Sequence, residues 1–389
     1  MIEKERMTEH VMDIIRIDSL SKKEKDVATK LQKDMEELGA ECFYDDAGEK
    51  VNGNVGNLIV KLEGNKSDAP PFFLSAHMDT VGPGEGIKPS IEDGIMKSDG
   101  TTILGSDDKS GVAVIVETIR AIKENGVPHG DIEIAFTICE EIGLLGSKHI
   151  DMSKFRARHG IVLDSSTPNR LVLRCPSAEK MEFVVHGLEA HAGLCPENGL
   201  SAIQITSEAI SKMRLGRIDD FTTANIGVIS GGRATNIIPN RVRVVAEARS
   251  HSEETLKAQV DHMRGCFHDA VSNYEVTIHD DLSPEGTTYV AKLEESIERS
   301  YDRMDVDIKS LPVTLVEAAV KNLGYEIKHH TSGGGCDANY FNKFGIECAN
   351  LGTGMYELHT VNEYLILEEF FRSAEIVLEA IRLNTILPS

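Results

Sequence analysis

The sequence is short of several things at once. Its seven cysteines among 389 residues are odd in number, scattered, and contain no Cys-x-x-Cys pair. That argues against a disulfide framework and for a reducing compartment. No apolar run approaches the ~18 residues that a membrane-spanning helix requires. The opening Met-Ile-Glu-Lys-Glu-Arg is charged and helix-like, unlike an apolar signal segment, so the expected location is the cytoplasm. Positive charge is also scarce: 41 Lys and Arg stand against 63 Asp and Glu, for a formal net charge of -22. Such a surface repels phosphate backbones and anionic headgroups, and neither nucleic acid nor membrane is expected as a partner. It says little about a small substrate, because a local cationic centre can dominate inside a cleft. Internal repeats and low-complexity tracts are absent too.

What is present is an ordinary globular composition, 41% hydrophobic and 27% charged, in a chain too long for one compact core, so two domains are expected. The most informative stretch runs from Pro71 to Ser165 and holds three apolar runs, each followed at once by residues that can bind a metal. Phe72-Phe-Leu74 leads to His77 and Asp79. Ile132 to Cys139 leads to Glu140 and Glu141. Gly160 to Leu163 leads to Asp164. Short apolar runs rich in β-branched residues read as buried strands of an α/β sheet. Ligands of such sheets bind beyond the carboxyl ends of the strands. Between the first two runs, Leu104-Gly-Ser-Asp107-Asp108-Lys-Ser-Gly111 opens a helical pattern that ends at Gly126.

Two helices are expected within residues 3–38, a strand at 57–62, a helix at 312–323, a glycine loop from His330 to Asp337, a strand at 346–351 and a long amphipathic helix near 367–383. Between them the texture changes. Strands near 181–186, 224–229, 242–248 and 274–278, with helices at 198–213 and 252–267, give the order β-α-β-β-α-β of a split ferredoxin-like unit. The expected organisation is therefore a mixed, mainly parallel α/β domain over 1–178 and 286–389, interrupted by an α+β lid over 179–285.

Taken singly, the motifs have plain structural readings. A strand-end His77 can be a core histidine, and Asp107-Asp108 can be a helix N-cap. Yet His77 and Asp79 point to the same side of a strand, so that Asp79 can hold the second ring nitrogen of a ligating His77. Glu140 and Glu141 repel each other unless a cation compensates them. One His, several carboxylates and a distant His359 supply N and O donors suited to zinc, or to manganese or cobalt in its place. Six such groups are too many for one tetrahedral ion and suit two ions sharing a carboxylate, with one glutamate left as general base.

His77-Met-Asp79-Thr, Gly105-Ser-Asp107-Asp108-Lys-Ser-Gly, Glu140-Glu141-x-Gly143 and Leu163-Asp164-Ser resemble the di-zinc metallopeptidase family that includes peptidase T, glutamate carboxypeptidase, aminoacylase and succinyl-diaminopimelate desuccinylase. The resemblance spans nearly the whole chain, inserted lid included. It implies two Zn²⁺ bridged by Asp107, one completed by His77 and Asp164 and the other by Glu141 and His359. Glu140 would be the general base and Asp79 the orienter of His77. His191, in Gly187-Leu-Glu-Ala-His191-Ala-Gly193, looks like the family's oxyanion-stabilising lid histidine. That histidine usually serves the neighbouring subunit, which implies a homodimer. Asn236 and Arg249 look like substrate-carboxylate contacts, and Gly334 and Asp337 look like cleft-lining residues. Glu140-Glu-Ile-Gly-Leu-Leu-Gly146-Ser and Ser332-Gly-Gly-Gly-x-Asp337-Ala-Asn339 are similar to the peptidase T branch, although the stretch between Asp79 and Asp107 is shorter than in peptidase T itself. The activity implied is tripeptide aminopeptidase. Hydrolysis of N-acyl amino acids or a carboxypeptidase activity with the same metals is the alternative, and a non-catalytic peptide-binding role is a second.

Overall fold

Four apolar runs form neighbouring parallel strands at the centre of a nine-stranded mixed sheet: Ile132–Thr137, Phe72–His77, His159–Val162 and Glu347–Leu351, in that spatial order. Every residue of the first three is buried, as expected for strands covered on both faces, where continuous apolar runs replace alternation. The outer strands Glu41–Tyr44, Leu58–Leu62 and Arg170–Cys175 join antiparallel, which makes the sheet mixed. This computed structural model describes residues 1–279 and 283–386; the stretches 280–282 and 387–389, included in the expected domains, lie outside the described residues.

The helix Ser106–Asn125 packs on the strand Phe72–His77, and the C-terminal helix Leu367–Leu383 packs on that helix. The run Val112 to Val116 and Ile119 is wholly inaccessible. This is why the sequence Val-Ala-Val-Ile-Val, which suits a strand by propensity, is stable as a helix: burial all round outweighs the small β-branched penalty. Gly111 lies where a side chain would collide with the Leu163 carbonyl oxygen, so the start of this helix sits directly against the end of the strand leading to Asp164.

The chain divides into two compact units, Met1–Cys175 with Met304–Ser389, and Pro176–Arg303. The second unit is built on a five-stranded antiparallel sheet in the order Gly216–Arg217, Thr222–Gly231, Arg241–Ser250, Ser177–His186, Lys292–Tyr301. Alternate residues Met181, Phe183 and Val185 and Val242, Val244, Ala246 and Ala248 form its core with the helices Ala202–Ser211 and Glu253–Ser272. Phe183 stacks on Phe267 with ring centroids 4.3 Å apart.

The expected end of this unit at 285 is corrected to Arg303. The run 274–278, expected to be its last strand, pairs instead with Thr287–Val290 in a separate two-stranded ribbon. The strand that closes the β-α-β-β-α-β order is Lys292–Tyr301, lying along Ser177–His186. Its sequence, Lys-Leu-Glu-Glu-Ser-Ile-Glu-Arg-Ser-Tyr, is charged because it is an edge. Only Leu293, Ile297 and Tyr301 carry the inward pattern, while Glu295 and Arg299 pair with Arg264 and Glu253. In the first unit, Cys175 at the end of one strand pairs opposite Met304 at the start of the next. Among the described residues, no helix is long and apolar enough to cross a membrane.

Candidate metal centre

The carboxyl ends of the four central parallel strands converge on one cluster. His77 is the last residue of its strand, Glu140 and Glu141 follow Thr137, Asp164 follows Val162, and His359 comes from the segment after Leu351. Asp107 enters from the start of the helix Ser106–Asn125. There, Asp107 and Asp108 have non-helical backbone angles, and the two acids divide their roles. Asp108 acts as a cap: Oδ1 accepts from Gly111 N–H at 3.1 Å and Oδ2 from His77 N–H at 3.2 Å. Asp107 faces the cluster.

Two groups of ligand-type atoms lie within 4.8 Å of one another, His77, Asp107 and Asp164 in one and Asp107, Glu141 and His359 in the other. The Asp107 oxygens are divided between them. Oδ1 lies 3.1 Å from His77 Nε2 and Oδ2 lies 3.3 Å from His359 Nε2, which is also 3.0 Å from Glu141 Oε2. Donors bound at about 2.0–2.1 Å to one tetrahedral zinc stand about 3.3 Å apart. These spacings fit donors that share an ion. Glu141 Oε1 is buried without a hydrogen-bond partner, as an oxygen waiting for a cation would be.

The electrostatics point the same way. Burial, followed by the nearby Asp107, pushes Asp164 up to about 8. Burial and the charge of Asp164 push Glu140 well above the usual carboxylate range, and burial raises Glu141. The hydrogen bonds to Asp107 and Glu141 raise His359 to about 10. Burial alone would lower His77, but its hydrogen bonds to Asp107 and Asp79 outweigh that and raise it well above the usual imidazole range. Too many carboxylates share one pocket for the histidines to neutralise, and divalent cations are the natural complement.

The sequence did not show how this cluster is supported. The nearest partner of His77 Nδ1 is the main-chain carbonyl of Asp79, at 2.9 Å, with the Asp79 carboxylate at 3.5 Å. That carboxylate mainly holds the glutamate turn: it accepts from Glu140 N–H at 2.9 Å, Glu141 N–H at 3.3 Å and Ser21 Oγ at 2.6 Å. Glu24, fully buried, accepts from Cys139 N–H at 3.0 Å, and Cys139 has a positive φ of 53°. Asp337, expected to line a cleft, is buried instead, its two oxygens accepting from Thr137 Oγ1 and Ser147 Oγ at 2.5 Å each. It clamps both flanks of the segment carrying Glu140 and Glu141. Gly334 sits in the loop before it, its N–H on Ser332 Oγ at 3.1 Å. Glu363, which drew no attention in the sequence, accepts four hydrogen bonds from residues 104–107.

In the second unit, His191 is exposed and Nδ1 accepts from Gly193 N–H at 3.1 Å and Leu194 N–H at 3.2 Å. With Nδ1 an acceptor, the neutral ring carries its proton on Nε2. Asn236 lies beside it, its carbonyl accepting from Ala192 N–H at 3.0 Å. Arg249 is on the strand Arg241–Ser250, with Nη2 3.0 Å from Glu247.

Fold and cluster together define a metallopeptidase. Residues 73–383 match the model of peptidase family M20/M25/M40, and the chain belongs to that family, as a metallopeptidase resembling peptidase T. The crystal structure of aminopeptidase PepT from Bacillus cereus is 39% identical, with 98% of this chain and 99% of that one covered and a TM-score of 0.83. That of a tripeptidase from Staphylococcus aureus is 34% identical over the full length of both, with a TM-score of 0.89. Peptidase T from Fusobacterium nucleatum is 26% identical over 98% of this chain and 97% of its own.

Proposed function

We propose that this chain is a two-zinc aminopeptidase that removes the amino-terminal residue from short peptides, tripeptides above all. The observation that carries this reading is the division of the Asp107 oxygens between two histidine-containing triads. His77, Asp107 and Asp164 would hold one ion and Asp107, Glu141 and His359 the other. When bound, the ions would supply Lewis-acid polarisation of the scissile carbonyl and a water acidic enough to react near neutral pH.

Glu140 belongs to neither triad, yet its main chain is fixed by Asp79 beside the ligand Glu141. It takes the proton of the attacking water and returns it to the leaving amine. His191, with its proton on Nε2, donates to the tetrahedral oxyanion. Asn236 and Arg249 take the peptide carboxylate. The PepT and tripeptidase relatives favour a short peptide with a free amino group.

The same reading makes the protein a homodimer through its second unit. The strand Thr222–Gly231 is paired along its length on one side. On the other, among the described residues, its strand partners reach only Thr223 and Ala224, beyond the turn that closes on Thr222. Val228 and Ile229 stand 47% and 55% exposed on it, an open edge of the kind that adds a further strand.

The test compares a tripeptide, its N-acetylated form and an N-acetyl amino acid as substrates of the zinc-loaded protein, with a chelated control. Cleavage of the free-amine tripeptide alone is expected. Cleavage of the acetylated compounds would overturn the aminopeptidase assignment in favour of an amidohydrolase.

A further inference from the structure

Resting on the two-metal reading, we infer that Glu363 is a positioning residue that sets the distance between the bridging Asp107 and His359, and so governs occupancy of the second metal position. Glu363 is 1% exposed. Its Oε2 accepts from Leu104 N–H and Gly105 N–H, each at 2.9 Å, and its Oε1 from Ser106 Oγ at 2.6 Å and Asp107 N–H at 3.1 Å. A single carboxylate therefore holds the whole segment that presents Asp107, the ligand's own amide included.

The other end of this tie is the segment carrying His359. Glu363 N–H donates to the Thr360 carbonyl at 3.1 Å, and Thr360 Oγ1 donates to the Glu357 carbonyl at 2.7 Å. Glu357 and His359 both have left-handed backbone, with φ of 53° and 62°, a conformation that disfavours a residue with a Cβ. No strand or helix fixes His359, and its side chain is 53% exposed. The opposite triad differs. His77 ends a buried strand, and Asp164 follows one and is held by Asn350, whose Oδ1 accepts from Asp164 N–H at 2.9 Å. Loosening Glu363 should therefore free His359 from Asp107 Oδ2, while Asp107 Oδ1 stays against His77 beside Asp164. An amide at 363 keeps one acceptor oxygen but presents an NH₂ to the two donors on the other, so Glu363→Gln breaks half of the tie without changing the volume.

The experiment is calorimetric zinc titration of the metal-stripped full-length protein, with zinc content per chain after gel filtration and the visible spectrum of the cobalt-loaded form. The comparison is between wild type, Glu363→Gln and Glu133→Gln. Glu133 is an equally buried carboxylate that accepts main-chain N–H groups of Arg156 and Ala157 at 2.7 and 2.9 Å, near the opposite end of its strand from the cluster. The expected result is two zinc ions for wild type and Glu133→Gln. Glu363→Gln should retain one tight ion and bind the second about 10–100-fold more weakly, with the cobalt absorption of the second position lost. Two ions at wild-type affinity in folded Glu363→Gln, or loss of both together, would overturn the inference. A wild type that takes up no zinc would remove the two-metal reading itself. Should Glu363→Gln fail to fold, Ser106→Ala, which deletes one of the four donors, carries the test: a weakened second ion supports the tie and an unchanged one overturns it.

Discussion

Glu140 and Glu141 are adjacent in the chain and do different work. Glu141 meets His359, while Glu140 stands outside both triads. Glu140→Gln is expected to keep two zinc ions per chain and lose about 10²–10⁴-fold in kcat, the usual worth of a general base; metal analysis beside steady-state kinetics checks both halves, and retained turnover would remove Glu140 from the role. Asp107→Asn places an NH₂ against one of the two histidines, and metal content should fall below one ion per chain. His77, Glu140, Glu141 and Asp164 stood out in the sequence because each follows an apolar run, and strand ends are where a sheet presents its polar groups. Asp107, at a helix start, and His359, after a glycine-containing loop, were singled out by the family resemblance instead. The supporting roles of Asp337 and Glu363 were not legible. The hydroxyls that satisfy Asp337 lie 200 and 190 residues away in the chain, and no local pattern distinguishes such a carboxylate from one in water.

The elements behave as the cluster's scaffold. Gly111→Ala would drive a methyl into the Leu163 carbonyl and the Asp108 carboxylate, pushing the helix start off the strand that leads to Asp164. A loss of about 1–3 kcal/mol is expected, seen as a lowered melting temperature with weakened metal binding. The first two helices are joined by a polar tie: buried Asp34 meets His10 at 2.9 Å and Lys30 at 2.5 Å. Burial alone would raise the Asp34 carboxyl, but the hydrogen bonds from His10 and Lys30 outweigh it and hold it low. Its charge therefore stabilises the fold above the ordinary aspartate value of about 3.9, and the contribution disappears as pH falls through the lower folded value. Asp34→Asn should cost about 2 kcal/mol at pH 7, and the gap from wild type should close below pH ~4 in acid unfolding curves. Elements with an apolar stripe or a continuous apolar run were legible throughout the catalytic unit. The edge strand Lys292–Tyr301 was not, because an edge is solvated and its charges are paired across the surface, while the more apolar 274–278 mimicked the missing strand.

For the whole molecule, the two-unit plan followed from length and from the change in texture near Cys175, whereas the return point at Arg303 depended on a pairing that only three-dimensional structure reveals. If the open edge of Thr222–Gly231 joins two copies, Val228→Lys should convert a dimer to a monomer in light scattering; a monomeric wild type would end that expectation. The pairing of Cys175 opposite Met304 carries a further consequence. The inserted unit leaves and re-enters the catalytic sheet at a single point, where a tight turn could join the two strands directly. All the ligand-type residues of the metal centre thus lie outside the insert. The insert could be exchanged at that point without moving one ligand of the metal centre.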